Sequence, residues 1–253
     1  MSGHSKWSTI KHQKGVADAR RGQLFTKLAR EITVAARQGG QDPESNVRLR
    51  LAAQKAKDNN MPTENIERAI RRGAGTGEDG HESLQEVLYE GYGPGGSAIL
   101  LEAVTDNPHR TVSEVRNVFT RGGGALGEKG CVAWNFESKG VITVEAPPGK
   151  AEELALAAID GGAEDFDADR NVLEVRTGPD DFEGVRRVLE AGGAKVLSAE
   201  LAFIPKSVVP LDARHGEQTL RLLERMEELD DVQHVYTNAT FPNEVLAQSK
   251  GAA

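Results

Sequence analysis

RRGQLFTKLAREITVAARQ, residues 20–38, predicts an amphipathic α-helix with two chemically different faces. One face, at the 3.6-residue spacing of a helix, consists of Leu24, Phe25, Leu28, Ala29, Ile32, Ala35 and Ala36. Projected at about 100° per residue, the opposite side carries Arg20, Lys27, Arg30 and Arg37. Gly39 and Gly40 then end the helix. The stretch predicts a helix that packs on a core with one side and presents cations on the other.

Two further helices complete a small N-terminal bundle. The second is predicted to be capped by Asp42, to have Pro43 at its first position and to end before Asn59. The third, ENIERAIRR, is predicted to be capped by Thr63 and to close at Gly73. The expected domain is a basic three-helix bundle over residues 1–78, with a flexible arm in front of it.

Charge divides the chain into a basic module and an acidic body. Residues 1–73 carry 15 Lys/Arg and 7 Asp/Glu, a net charge of +8, whereas residues 74–253 carry 16 and 32, a net charge of -16. The stretch between them, GAGTGEDG at 73–80, has the composition of a linker. The acidic total of the protein therefore conceals a cationic N-terminal module.

The first 15 residues, MSGHSKWSTIKHQKG, contain no acid and no apolar periodicity. They predict a flexible arm that orders on its target. Residues 1–37 carry 8 basic and 2 acidic residues, a bias typical of phosphate contacts rather than of a solubilising surface. Trp7 either packs the arm against the bundle or stacks on an unpaired base.

The acidic body predicts two α+β domains. Residues 140–204 follow the strand–helix–strand–strand–helix–strand order of a ferredoxin-like domain. The elements left over before and after it form a second domain, so the ferredoxin-like domain, residues 136–206, is predicted to be inserted in a domain of residues 79–135 plus 207–245. In this second domain, helix TVSEVRNVFTRGGG is predicted to start with a Thr111…Glu114 capping box, and CVAWNF is predicted to be a strand.

Motifs of enzyme chemistry are weak in this sequence. GYGPGG at 91–96 runs from a strand into a strand and is better explained by a hairpin turn than by a phosphate-binding loop. TDNPHRT places Asp106, Asn107 and Arg110 at a strand end, where ligand groups occur, although capping and turn chemistry also explains them. Histidine spacing fits no zinc motif, and the one cysteine, Cys131, is expected to be a small buried hydrophobe. We predict no catalytic residue, no metal and no cofactor.

Membrane insertion is also not expected. The longest apolar run, AILL at 98–101, is far shorter than the roughly 20 residues of a membrane span, and the N-terminus lacks the apolar core of a signal peptide. The expected location is the cytoplasm.

Six stretches occur in the order typical of one known family: MSGHSKWSTIKHQKG, FTKLAREI, NMPTENIERAIRRGAG, YEGYGPGG, TDN…RT and GALGEKGCVAW. On these motifs, which cover most of residues 1–135, the chain resembles the YebC/PmpR family. The resemblance implies a cytoplasmic protein with a helical domain and two α+β domains. Some members are described as DNA-binding transcriptional regulators; others, including the mitochondrial translational activator of cytochrome c oxidase, act at the ribosome, easing synthesis of proline-rich stretches. The sequence departs from the family pattern at His109, Cys131 and Asn135.

We therefore predict a non-enzymatic, nucleic-acid-binding regulator of gene expression. The predicted nucleic-acid contacts are Lys6, Trp7, Lys11, His12, Lys14, Arg20, Arg21, Lys27, Arg30, Arg37, Arg68, Arg71 and Arg72. Loops around Tyr92, Asp106, Asn107 and Arg110 are predicted to add contacts at the domain junction.

DNA and ribosomal RNA are both possible targets, with the ribosome as the partner in the second case. Ribosomal RNA is favoured because a basic arm with a lone tryptophan suits irregular folded RNA, and because an acidic body is repelled by long duplex. A small-ligand sensor or enzyme that uses loops 91–96 and 105–111, and a protein-binding scaffold, are the alternatives. The default oligomeric state is a monomer.

Overall fold

The computed structural model describes residues 18–76, 84–169 and 171–251. They form two compact units: Asn135–Lys206 is one, and the described residues on either side of it form the other. Among the helices of these ranges, none has an apolar stretch that could span a membrane. The predicted class, an N-terminal helical domain followed by a two-domain α+β region, is confirmed.

The described residues form eight α-helices and ten strands. The helices are α1 Asp18–Gly39, α2 Val47–Asp58, α3 Thr63–Gly73, α4 Pro108–Arg121, α5 Ala151–Asp160, α6 Phe182–Ala191, α7 Ala213–Glu227 and α8 Asn243–Gly251. The strands are β1 Gln85–Tyr92, β2 Ala98–Thr105, β3 Ala125–Leu126, β4 Phe136–Glu145, β5 Ala163–Asp169, β6 Val172–Thr177, β7 Lys195–Pro205, β8 Val209–Pro210, β9 Val232–Thr237 and β10 Ala239–Thr240.

Helices α1, α2 and α3 pack into the predicted helical domain. The apolar face of α1 is buried as the spacing predicts, with Leu28 and Ile32 in one core with Leu49 of α2 and Ile66 of α3. Helix α3 lies so close to α1 that a Cβ on Gly73 would be 2.3 Å from the carbonyl oxygen of the facing turn. A glycine is required there because any side chain would push the two helices apart.

Two predicted helix starts are wrong. Helix α2 begins at Val47 instead of near Asp42, because the Asn46 side chain is its cap and accepts a hydrogen bond from the Leu49 amide (3.0 Å). Asp42 instead forms a separate turn in front of the helix. Helix α3 includes Thr63 as its first residue and has no side-chain cap.

The split domain consists of residues 84–134 and 207–251. Its antiparallel sheet has the order β3-β1-β2-β9. The fourth strand, β9, comes after the inserted ferredoxin-like domain in the chain. Helices α4 and α7 pack on this sheet, and Ile99, Leu101, Phe119 and Leu223 are fully buried between them. A two-residue parallel pair, β8 with β10, adds a short second ladder.

Two further expectations in the split domain are corrected. Helix α4 starts at Pro108 with Asn107 as its cap, so the Thr111…Glu114 capping box does not form. CVAWNF is not a strand of the split domain: residues 131–135 belong to a loop that ends in the short 3₁₀ turn Ala133–Asn135, and only Phe136 is extended, as the first residue of β4. The amide groups of this loop, which a strand would pair with a neighbour, are bound by a side chain described below.

Residues 135–206 fold as the predicted ferredoxin-like domain. The sheet order is β5-β6-β4-β7 with every neighbouring pair antiparallel. Alternate side chains of β4 and β6, including Ile142, Val144, Leu173 and Val175, are buried under helices α5 and α6. This inserted domain carries 8 basic and 15 acidic residues, and acidic side chains dominate its edge strand β5.

Candidate nucleic-acid interface

Three residues of the cationic face of α1, Lys27, Arg30 and Arg37, contact the split domain. Lys27 Nζ donates a hydrogen bond to the Glu227 carbonyl oxygen (2.5 Å), and Arg30 Nη1 donates to the Asp230 carbonyl oxygen (2.8 Å). Arg37, about two helical turns further along α1, donates to the Leu84 carbonyl oxygen of the same domain. Three side chains predicted to meet phosphate therefore bind protein carbonyl groups in this structure, and their contact with nucleic acid stays a prediction.

The carbonyl groups that receive Lys27 and Arg30 lie at the end of α7 and just beyond it. The last carbonyls of a helix lack intrahelical partners and carry the negative end of the helix dipole. Helix α7 ends at Glu227, and Gln23 of α1 adds a hydrogen bond to the Glu228 carbonyl (3.1 Å). The polar face of α1 therefore caps the C-terminus of α7 from outside, which stabilises both helices.

An apolar contact accompanies these polar ones. Val34 of α1 is buried in one cluster with Leu84, just before β1, and Val104 of β2. Arg37 Nη1 reaches the Leu84 carbonyl oxygen from the same face (2.8 Å). Helix α1 thus buries two faces, one in the helical domain and one against the split domain.

The buried carboxylate of Asp231 is the centre of this contact. Its Oδ1 pairs with Arg30 (2.8 Å), and its Oδ2 accepts hydrogen bonds from Arg110 (2.8 Å), Thr111 (2.7 Å) and Thr105 (3.0 Å). The residue is 2% exposed. One side chain therefore joins α1, the end of β2, the start of α4 and the turn before β9.

Charge and hydrogen bonds keep this carboxylate ionised. Burial alone would raise the pKa of Asp231. The hydrogen bonds from Arg110, Thr111 and Thr105, together with the nearby Arg30 charge, outweigh burial and hold the pKa of Asp231 below its usual value. The site is consequently a fixed negative charge that needs its cationic partners.

The predicted contacts of the N-terminal arm lie outside the described residues: Lys6, Trp7, Lys11, His12 and Lys14. Arg20 and Arg21 fall in the first turn of α1, but only their backbone is described. These residues stay predictions from the sequence.

A second predicted group, on α3, is open to solvent. Arg68 and Arg71 are each 54% exposed and form pairs within their own helix, with Glu64 (3.2 Å) and Glu67 (3.8 Å). Arg72 is half-buried. Exposed pairs of this kind contribute little stability, so both arginines can exchange their partners for a phosphate at small cost.

The two loops considered for a ligand use their polar groups internally. The Asn107 side chain accepts a hydrogen bond from the Arg110 amide and so caps α4. The Arg110 guanidinium donates to both Asp106 (2.8 Å) and Asp231. GYGPGG forms the predicted hairpin: Gly91 and Tyr92 end β1, and residues 93–97 connect it to β2, with Gly95 at a positive φ of 72° in a 3₁₀ turn. Capping and turn chemistry explain both loops.

Glu90 organises the loop that follows β3. Glu90 is 3% exposed, and its carboxylate accepts hydrogen bonds from three backbone amides: Gly130 (2.6 Å), Val132 (2.8 Å) and Ala133 (2.7 Å). Burial would raise the pKa of Glu90, but these three amide donors and the charge of Lys129 hold it below its usual value. The Glu90 side chain therefore holds the backbone of residues 130–133 in place.

Two exposed aromatic side chains meet at this loop, Trp134 from the loop itself and Tyr92 from the end of β1. Tyr92 Oη and Trp134 Nε1 both donate to the Cys131 carbonyl oxygen, each at 2.9 Å. Trp134 is 68% exposed and Tyr92 is 43% exposed. The polar tips of both rings are thus bound within the loop, while much of their surface faces solvent.

Metal and thiol chemistry find little support in this arrangement. Within the ranges that the structure describes, no three His, Cys, Asp or Glu side chains are grouped as metal ligands. Cys131 is half-buried, and burial together with the Glu90 charge raises the pKa of its thiol, which disfavours the reactive thiolate.

Three residues of structural consequence were not singled out from the sequence: Glu90, Asp231 and Trp134. An acid inside an otherwise apolar strand, YEGY, and paired acids in front of a strand, LDDVQH, are the local signals for the first two. Trp134 lies in the stretch predicted to be a strand, although the glycines of GEKGCVAW are typical of a loop. None of these signals identifies a partner.

Comparison with known proteins places the whole chain in one family. Residues 5–76 match the TACO1/YebC protein N-terminal domain, and residues 84–239 match the TACO1/YebC second and third domain. A "Probable transcriptional regulatory protein" of Dehalococcoides mccartyi is 56% identical over 97% of each chain. Another, of Moorella thermoacetica, is 55% identical over 98% of this chain and 99% of its own.

A solved structure extends the similarity to three dimensions. The crystal structure of a conserved hypothetical protein, Aq1575 from Aquifex aeolicus, matches with a TM-score of 0.84 and 49% identity, over 94% of this chain and 97% of that one. The relatives' names support a role in regulation. The order of domains, the two matched segments and these identities together show that the chain belongs to the TACO1/YebC family.

Proposed function

We propose that this protein is a non-enzymatic regulator of gene expression that binds nucleic acid through its N-terminal segment, with folded ribosomal RNA as the target. One observation carries the proposal: residues 1–21 contain five Lys/Arg and a single acid, Asp18. Lys27, Arg30 and Arg37 bind groups of the split domain. Of the other cations in the helical domain, those of residues 1–21 have the fewest acids among them. The proposed contacts are Lys6, Lys11, Lys14, Arg20 and Arg21, with Arg68 and Arg71 as a second group.

RNA is favoured over DNA on physical grounds. Many sequence-specific DNA readers place a helix in the major groove, and the cationic helix α1 packs one face in the helical domain while Lys27, Arg30 and Val34 contact the split domain. The chain after residue 73 carries a net charge of -16, which opposes approach to the continuous charge of a long duplex. An RNA pocket of irregular shape admits a cationic segment while the acidic domains remain outside.

Duplex DNA is the second candidate, because relatives of more than 50% identity are named transcriptional regulatory proteins. Such a role would use the same cations on phosphates. The two candidates differ in the nucleic acid that binds more tightly at equal salt, and one experiment separates them.

The test compares two triple variants of the full chain. Lys6, Lys11 and Lys14 are changed to Gln in the first, and the exposed Lys150, Lys195 and Lys206 of the ferredoxin-like domain are changed to Gln in the second. Both remove three positive charges, so the overall charge is matched. Binding to ribosomes, to a ribosomal RNA fragment and to duplex DNA is measured across a salt series.

We expect the first variant alone to lose affinity and to lower the slope of log K against log salt by about 2–3, since each phosphate contact contributes about 0.7–0.9. Identical binding by both variants and the unmodified protein would refute a nucleic-acid role for the segment. Tighter binding to duplex DNA than to ribosomes or ribosomal RNA would overturn the RNA assignment and favour transcription.

A further inference from the structure

Trp134 and Tyr92 present aromatic surface that no contact inside the described residues explains. Large aromatic side chains are usually buried, and Trp134 has 68% of its surface exposed. Both rings are nevertheless fixed, because Trp134 Nε1 and Tyr92 Oη converge on the Cys131 carbonyl oxygen. Fixed rings lose little conformational entropy when a ligand covers them.

The loop behind the rings is held as firmly. The Glu90 carboxylate binds the amides of Gly130, Val132 and Ala133, directly before Trp134. Tyr92 follows Glu90 by two residues on the same strand. Both aromatic residues are therefore attached to one buried anchor.

The chemistry of the rings limits what they can bind. Peptide grooves lined with aromatic residues hold a ligand partly through hydrogen bonds to its backbone. Here the indole N–H and the phenol O–H already donate to the Cys131 carbonyl, so neither can donate to a peptide carbonyl. The ring faces and edges, with the phenol oxygen as an acceptor, remain for a partner. Stacking needs only a ring face, and every nucleobase supplies one.

Charge around the rings fits the same partner. Residues 127–134 contain one acid, Glu128, and one base, Lys129, so the loop is neutral within a body of net charge -16. Lys129 is exposed, and Gly127 and Gly130 have no side chains that would shield the backbone. A sugar–phosphate backbone can approach this loop more easily than the acidic strands of the ferredoxin-like domain.

We propose that Trp134 and Tyr92 form a stacking platform for an unpaired base of folded RNA. The proposal rests on the nucleic-acid function proposed above and adds a second contact point, away from the N-terminal segment in sequence. RNA loops and bulges supply such bases, whereas the bases of a duplex are stacked on one another.

The test uses the full chain with Trp7→Phe, which leaves Trp134 as the sole tryptophan. The probes are an RNA stem–loop with an unpaired loop and the matching fully paired RNA duplex. We expect the stem–loop to quench Trp134 fluorescence and the duplex to leave it unchanged. In the same background, Trp134→Ala should weaken stem–loop binding about 5- to 150-fold, while Trp134→Phe, which retains a ring, should recover most of the affinity.

Leu197→Ala is the matched control, because Leu197 is another large exposed hydrophobic side chain, and it should not change binding. Equal unfolding midpoints for the variants exclude a folding defect. Unchanged affinity of Trp134→Ala, or quenching by a proline-rich peptide and not by RNA, would overturn the platform. The Lys6/Lys11/Lys14→Gln triple separates the two proposals: if it loses salt-dependent affinity while Trp134→Ala does not, only the platform is refuted.

Discussion

Asp231 and Glu90 are both buried carboxylates of the split domain, but they obtain their partners in opposite ways. Asp231 binds four side chains from three separate elements, and two of these side chains are arginines. Glu90 binds three backbone amides from a single short loop. The first carboxylate holds together segments that lie far apart in the chain, and the second gives one loop its shape.

This difference decides how each site responds to change. The partners of Asp231 are side chains, and Arg30 and Arg110 keep 21% and 43% of their side-chain surface exposed, so water can replace part of a lost contact. The partners of Glu90 are backbone amides, and that of Val132 is buried away from water. Loss of Asp231 should affect global stability, whereas loss of Glu90 should act mainly on its loop.

The largest effect is expected for Asp231→Ala. Removing one partner of a buried charged network leaves the other charges uncompensated, and with partly exposed arginines we expect a loss of about 3 kcal/mol in the free energy of unfolding. Urea unfolding measures it. Neighbouring Asp230, which is exposed and pairs with Gln23, provides the control: Asp230→Ala should cost less than about 1 kcal/mol. Equal losses would contradict a special role of Asp231.

Glu90→Ala should have the next largest effect. Three charge-assisted hydrogen bonds are lost and a buried amide is left unsatisfied, so we expect about 2 kcal/mol together with a change in Trp134 fluorescence in the Trp7→Phe background. Glu86→Gln, on the same strand but exposed and paired with Arg48, is the control. A fluorescence change in Asp231→Ala of the same size would show that the loop is not a local unit.

Acid should weaken both sites in the same direction. The pKa of Asp231 and that of Glu90 lie below the ordinary values of 3.8 and 4.5. Near those values the unfolded chain therefore binds more protons than the folded chain, and acidification favours unfolding. The stabilisation is complete above the ordinary values and is lost as the pH falls through the lower folded values. Asp231→Asn and Glu90→Gln should each flatten stability measured between pH 5 and pH 2; unchanged slopes would refute the assignment.

Local structure was predictable where a pattern is self-contained. The apolar spacing of Leu28 and Ile32 identifies both the helix and its core, and the element order of 140–204 identifies the ferredoxin-like domain. Helix starts were less predictable, because Asp42 and Asn46 are both good caps, and Asn46 prevails through hydrogen bonds to the Ala35 and Gly40 carbonyls that only the folded bundle provides.

The partners of the charged residues were not predictable. Lys27 and Arg30 have the same spacing whether they face phosphates or the end of a helix 200 residues later in the chain. The loop that carries Trp134 is likewise bound by Glu90, more than 40 residues earlier, whose carboxylate accepts hydrogen bonds from the amides of Val132 and Ala133. Periodicity shows which side chains share a face, but it carries no information on what that face meets.

The smallest effects separate docking cations from cations available to a ligand. Arg30→Gln removes hydrogen bonds to Asp230 and Asp231 and should cost about 1 kcal/mol of stability without changing RNA affinity. Arg68→Gln removes only an exposed pair with Glu64 and should change stability by less than about 0.5 kcal/mol, while it lowers RNA affinity and the salt slope by about one phosphate contact. Arg30→Gln should therefore lose more stability than Arg68→Gln in unfolding measurements. Arg68→Gln should lose more RNA affinity than Arg30→Gln in salt-dependent binding. If Arg30→Gln weakens RNA binding as much as Arg68→Gln does, the face of α1 that caps α7 also opens to nucleic acid, and the division between the two classes of cation is wrong.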